Sequence, residues 1–264
     1  MKTNNHLVTI DPQNDFCHKD GALSVPGADE DMKRLAKFVA RMSDQLDEIH
    51  CTLDSHQTIH IAHPIFWVNS KGDNPPPFTL ITEDAVESGE WRTKHPGLQA
   101  HALNYVKTLT KNNRYQLCIW PPHCRIASWG YQVVPELYDQ FAAWETNTFS
   151  KVDFVVKGSN FLTEHYSAVM ADFQCDDDPT TKINTKFLDV LSKADVVYFT
   201  GEALSHCVAN TVVDIADNFG EDNIKKIVLL EDTTSNVPGF EALGSDFLKK
   251  LTARGMRTAK STDI

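Results

Sequence analysis

Two kinds of hydrophobic pattern alternate along this chain. Short, largely apolar runs occur at "HLVTID" (6–11), "IHCTLD" (49–54), "YQLCIW" (115–120), "DFVVKG" (153–158), "DVVYFTG" (195–201), "KKIVLLED" (225–232) and "MRTA" (256–259). Their length and β-branched content predict strands. Between them, apolar residues recur at helical spacing. Residues 30–48 place Leu35, Phe38, Val39, Met42 and Leu46 on one face, and similar patterns predict helices over 98–111, 134–145, 183–194, 205–219 and 239–254. Strands that alternate with helices build a parallel sheet covered on both faces. The expected fold class is therefore α/β, a three-layer αβα, doubly wound, mostly parallel sheet. Only residues 64–97 break the rhythm. Their "KGDNPPPF" is turn and loop chemistry, because consecutive prolines fit neither a helix interior nor a central strand. They read as an insertion within one domain spanning residues 1–264.

Composition narrows the partners. The chain has 264 residues, 41% of them hydrophobic, with a net charge of −11. That acidity argues against nucleic acid or an anionic membrane as partner. No apolar stretch approaches the roughly 20 residues of a membrane span. "MKTNNHLVTID" runs into the first strand without a signal-peptide pattern, so a cytoplasmic location is expected. The six cysteines, at 17, 51, 118, 124, 175 and 207, show no CxxC spacing and are expected to be reduced thiols.

In such sheets ligands bind at the carboxyl ends of the strands, and reactive side chains collect there. Asp11 ends the first strand, Asp54 and His56 close the second, His123 follows "YQLCIW", Lys157 ends "DFVVK", and Cys207 follows "VVYFTG" where a helix begins. A helix start lowers a thiol pKa and supplies N–H donors, although cysteine is also a common core residue. Asp11 and Lys157 need partners if buried, and a plain ion pair holding the sheet edge would satisfy them. Together with Cys207 they suit acyl transfer, most simply amide hydrolysis: a thiolate nucleophile, a carboxylate to move its proton, a lysine to steady both. Asp54, His56 and His123 are ligand types for a divalent transition metal. His60 or His63 could add a fourth ligand, though either alone reads equally as a loop histidine.

Five segments, in order, carry a resemblance. "TIDPQNDF", "TLDSH", "WPPHC", "VVKGSNFLTEHYSAV" and "TGEALSHCVANTVVDIAD" resemble the motifs of the nicotinamidases in the isochorismatase-like cysteine hydrolase superfamily. The resemblance implies a six-stranded sheet and a catalytic triad of Asp11, Lys157 and Cys207. It implies an oxyanion hole from Ala203 and Cys207, with a cis bond before Ala203. It implies one divalent metal ion per chain, zinc before iron or manganese, on Asp54, His56 and His123. Phe16, Trp120, Tyr166 and His206 fall where the family lines its pyridine pocket. The implied reaction turns nicotinamide and water into nicotinate and ammonia through a cysteine thioester, a step of NAD salvage, in a homo-oligomer. Ser55, Glu202, Leu204, Ser205 and Ala127 depart from the family pattern around the pocket. They keep two alternatives open: a related hydrolase of another small amide, and a silent pyridine-binding homologue.

Overall fold

The computed structural model describes residues 3–264. Six strands form the central sheet: β1 (Asn5–Ile10), β2 (Glu48–Asp54), β3 (Asp153–Lys157), β4 (Val196–Gly201), β5 (Ile227–Leu230) and β6 (Arg257–Ala259). Their order is β6-β5-β4-β1-β2-β3, and every pairing is parallel. The main helices are α1 (Ala28–Met42), α2 (Gln99–Lys111), α3 (Pro135–Thr148), α4 (Thr185–Ser192), α5 (Ala209–Phe219) and α6 (Glu241–Ala253). α1 and α3 pack together, and α5 lies between α4 and α6. This is the expected mostly parallel, three-layer arrangement. Among the described residues no helix is long and apolar enough to cross a membrane.

Local chemistry sets the elements. β1 and the second half of α1 are apolar: Leu7, Val8, Ile10, Leu35, Phe38 and Val39 are all buried. α1 carries Asp29, Glu30 and Asp31 in its first turn and Arg41 in its last, which complements the helix dipole. It ends at Met42, short of the expected 48, in a closing turn whose Gln45 and Leu46 N–H groups both donate to the Met42 carbonyl, at 2.8 and 3.0 Å. Leu46 stays buried without being helical.

"YQLCIW" corrects the sequence reading. It is not a strand of the central sheet. Only Leu117–Cys118 is extended, and it pairs antiparallel with Leu80–Ile81. The place beside β2 is taken by β3, which pairs with it from His50–Asp153 to Asp54–Lys157. The Ile119 and Trp120 N–H groups donate instead to Thr79 and Ala62. Residues 64–97 thus contribute backbone partners to this segment, besides the short helix Glu83–Glu87.

Gly201 is required where β4 ends. Its φ is +105°, and a Cβ there would lie 2.0 Å from the Ile10 carbonyl oxygen. The close approach brings the ends of β1 and β4 together, and with them Asp11 and the segment carrying Cys207.

Candidate active site

The carboxyl ends of β1, β2 and β3 each deliver one ionisable group, and the three meet. Lys157 Nζ lies 2.9 Å from Asp11 Oδ2 and 3.1 Å from Asp54 Oδ1. It also donates to the His165 carbonyl at 3.0 Å and reaches Cys207 Sγ at 3.5 Å. All four side chains are buried. Burial alone would lower the lysine pKa, but Asp11 and Asp54 outweigh it and hold the ammonium well above its ordinary value. Burial raises the Asp11 carboxyl, with Lys157 opposing. It likewise pushes the Cys207 thiol well up, again opposed by Lys157.

The polar residues around this group hold the strand ends in place. Thr52 Oγ1 donates to Asp11 Oδ1 at 2.5 Å and accepts from the Asp11 N–H at 3.0 Å. Gln13 clamps β2: its Nε2 donates to the Asp54 carbonyl and its Oε1 accepts from the Asp54 N–H, both at 2.8 Å. Asp15 accepts from the Cys124 and Ala22 N–H groups at 2.7 and 2.9 Å. Three polar residues of "DPQND" are thereby explained as scaffold or reactive group.

Cys207 lies in a wide helical turn, Leu204–Val208, that leads directly into α5. The bond before Ala203 is cis, as the resemblance implied. The Ala203 carbonyl accepts from His206 and Val208, which seats the turn against the end of β4.

A histidine cluster adjoins Asp54. His56 Nε2 and His123 Nε2 lie 2.8 and 3.3 Å from Asp54 Oδ2. The His56 ring centre is 4.3 Å from that of His60 and 5.4 Å from that of His63. His56 Nδ1, and Nε2 of His60 and His63, are buried without a hydrogen-bond partner. Buried polar atoms are ordinarily satisfied, so a cluster of unsatisfied imidazole nitrogens beside a carboxylate fits a cation. Asp54, His56 and His123 present ligand atoms within 4.8 Å of one another, and so do His56, His60 and Glu164. Backbone contacts distinguish the two further histidines. His63 Nδ1 faces the Thr58 carbonyl at 3.3 Å and His123 Nδ1 the Pro121 carbonyl at 2.9 Å. Each therefore carries its proton on Nδ1 and leaves Nε2 as a lone pair. His60 Nδ1 instead accepts from the Ala62 N–H at 3.2 Å. His60 groups with His56 and Glu164 within ligand distance, whereas His63 enters neither group. Gly158 makes room for the arrangement, since a Cβ there would sit 2.8 Å from Asp54 Oδ1.

The structure brings the four expected pocket residues together with this chemistry. Phe16, Trp120, Tyr166 and His206 line one narrow cavity, shared with Cys207, Ala203, Asp54 and His123. Trp120 Nε1 donates to the Tyr166 hydroxyl at 2.9 Å. The Phe16 ring meets His123 edge-on at 5.2 Å. A larger, more open groove lies elsewhere, around Arg114, Asp172 and Asp214, away from the thiol and the histidine cluster. Glu164 also lines the narrow cavity and was missed from sequence; its Oε2 is buried and unpaired. Only its position in "FLTEHYS", beyond the β3 lysine, hints at it.

His206 is packed among Trp120, Tyr166 and Phe240, at 5.2, 5.3 and 4.9 Å between ring centres. Burial lowers its pKa from 6.5 to about 4, so it is neutral near pH 7. The unfolded chain takes up that proton first. Its contribution to stability is complete above pH 6.5 and is lost as pH falls from 6.5 towards 4. His206→Phe is expected to remove about 3 kcal/mol of this acid sensitivity. Urea midpoints at pH 4.5 and 7.5 check this; an unchanged difference between the two pH values would contradict it.

No family model matches the chain. The curated nicotinamidase of Saccharomyces cerevisiae is 29% identical over 235 residues, 88% of each chain. The solved structure of the yeast nicotinamidase superposes with a TM-score of 0.67 at 22% identity, covering 97% of this chain and 99% of that one. The pyrazinamidase of Pyrococcus horikoshii, solved in complex with zinc, gives 0.58 at 18% identity, covering 97% and 99%. The fold is isochorismatase-like, and the curated relative that the chain matches is a nicotinamidase. Relative to a nicotinamidase frame, the departures at Ser55, Glu202, Leu204 and Ser205 replace no ionisable group of the Lys157 cluster. Ser55 Oγ donates to the Leu53 carbonyl at 2.9 Å, and Ser205 Oγ accepts from the Val237 N–H at 3.1 Å.

Proposed function

We propose that the protein is a metal-dependent nicotinamidase, a cysteine amidohydrolase that converts nicotinamide and water to nicotinate and ammonia. The observation that carries this reading is Lys157. Its ammonium touches Asp11, Asp54 and Cys207 at once, so the nucleophile group and the histidine cluster share one buried centre and one cavity.

Asp11 takes the proton of Cys207, and Lys157 balances the negative charge as it moves to sulfur. The thiolate attacks the carboxamide carbon. The oxyanion that forms is met by the N–H groups of Ala203 and Cys207. Asp11 returns the proton to the leaving nitrogen, ammonia departs, and a thioester to Cys207 remains. Water, deprotonated by Asp11, then releases nicotinate and restores the thiol. Asp54, His56 and His123 are the residues that would hold a divalent ion; when bound, it supplies a Lewis acid to anchor the pyridine nitrogen. Zinc is the first expectation, in keeping with the zinc complex of the archaeal relative. Phe16, Trp120, Tyr166 and His206 enclose the aromatic ring.

Purified protein should release ammonia from nicotinamide and do so faster with zinc, iron or manganese than after chelation. Folded protein with an accessible thiol that releases none with any of the three metals overturns the substrate assignment. One observation favours a related amide in that event. Phe78, from the insertion, stacks edge-on against Trp120 at 5.7 Å, so the insertion reaches the pocket wall.

A further inference from the structure

β2 carries a second polar cluster at its other end. Side chains alternate across a strand, and one face of β2 holds Glu48, His50, Thr52 and Asp54 in succession. Thr52 and Asp54 belong to the candidate active site. Glu48 and His50 lie at the amino-terminal edge, with His50 four residues from Asp54, about 13 Å along the strand at about 3.3 Å per residue. The register sets His6 of β1 beside Glu48 and Asp153 of β3 beside His50.

The geometry there is that of a metal site. His50 Nε2 lies 3.3 Å from His6 Nδ1 and 3.5 Å from Glu48 Oε2. Tetrahedral zinc with bonds of about 2.0–2.2 Å spaces its ligand atoms by about 3.3–3.5 Å. His50 Nδ1 faces Asp153 Oδ2 at 3.0 Å. That carboxylate takes the Nδ1 proton and leaves the Nε2 lone pair aimed at His6 and Glu48, the orienting contact metal-bound histidines characteristically make. The Nε2 lone pair then faces the Glu48 carboxylate, acceptor against acceptor, an opposition that a cation between them removes. His6 and His50 are buried, and Phe187 of α4 packs edge-on against the His50 ring at 5.6 Å. Glu48 and Asp153 are each about half exposed, at 52% and 51%, which leaves a solvent side for entering ions and a fourth, water, ligand. His6 Nδ1 faces the site and has His50 Nε2 as its hydrogen-bond partner, while the other ring nitrogen, Nε2, is buried with no partner.

We propose that His6, Glu48 and His50 form a second divalent transition-metal site, oriented by Asp153, at the edge of the sheet opposite the active site. Two imidazoles and one carboxylate suit zinc or cobalt(II). The site ties β1 to β2 and takes no part in amide hydrolysis.

Calorimetric titration of the metal-free full chain with zinc tests this. Two binding events per chain are expected. Glu48→Gln, at a half-exposed position, should weaken one of them at least about tenfold, as should Asp153→Asn. Asp54→Ala should weaken the other event and leave this one intact, which separates this site from the candidate active site. Cobalt(II) should give a tetrahedral visible absorption band in Asp54→Ala that Glu48→Gln reduces in the same background. A single event in the wild-type chain, or a second event indifferent to both Glu48→Gln and Asp153→Asn, overturns the proposal.

Discussion

Cys207→Ala should abolish ammonia release from nicotinamide, lowering kcat by at least about 10³-fold, while the protein stays folded. The thiol is the only group in the cavity that can form the thioester, and neither Asp11 nor Lys157 can substitute for it. The structural cost is small. Cys207 sits in a turn, not at the centre of the sheet, and its removal relieves a thiol that burial holds well above its ordinary pKa. Steady-state kinetics with a circular-dichroism melt decides the matter. An active Cys207→Ala protein would sink the nucleophile assignment. An inactive but unfolded one would be followed by Cys207→Ser, which is nearly isosteric and should also be inactive.

Lys157→Met should harm both stability and turnover. Removing the ammonium leaves the Asp11 and Asp54 carboxylates facing one another in a buried site with no lysine between them. Losing one partner of a buried charge group typically costs about 3–5 kcal/mol. Part of that cost can be recovered if Asp11 takes up a proton, which would itself disable it as a base. Expected results are a lower urea midpoint and a kcat reduced by at least about 10²-fold. Full activity with unchanged stability would show that Lys157 is not the centre of this cluster.

The parts of the architecture that could be read from sequence are those where one element has one environment. The β-branched runs of β1 and β4 are buried on both faces, so their strand character is written in composition alone. "YQLCIW" has the same composition but a different fate. An apolar run does not encode its neighbour, and residues 64–97 supply a local partner that pattern analysis cannot see. Asp11, Asp54, Lys157 and Cys207 were legible because parallel sheets bring strand ends together, so sequence order translates into proximity. Glu164 and Gln13 were not. Glu164 reaches the cavity from an irregular segment with no periodicity, and the clamp of Gln13 on Asp54 depends on the parallel pairing of β1 with β2.

The polar face of β2 has a consequence for how the chain finds its sheet. A slip of β2 by one residue against β1 would turn Glu48, His50, Thr52 and Asp54 to the opposite face, into the apolar layer under α1. Ile49, Cys51 and Leu53 would take their places among the charged groups. Such a mispaired sheet would strand a carboxylate at one end and an imidazole at the other, each without its partner, at several kcal/mol apiece. The residues that equip this protein for chemistry therefore also act as a ruler. They penalise a one-residue slip of the two central strands.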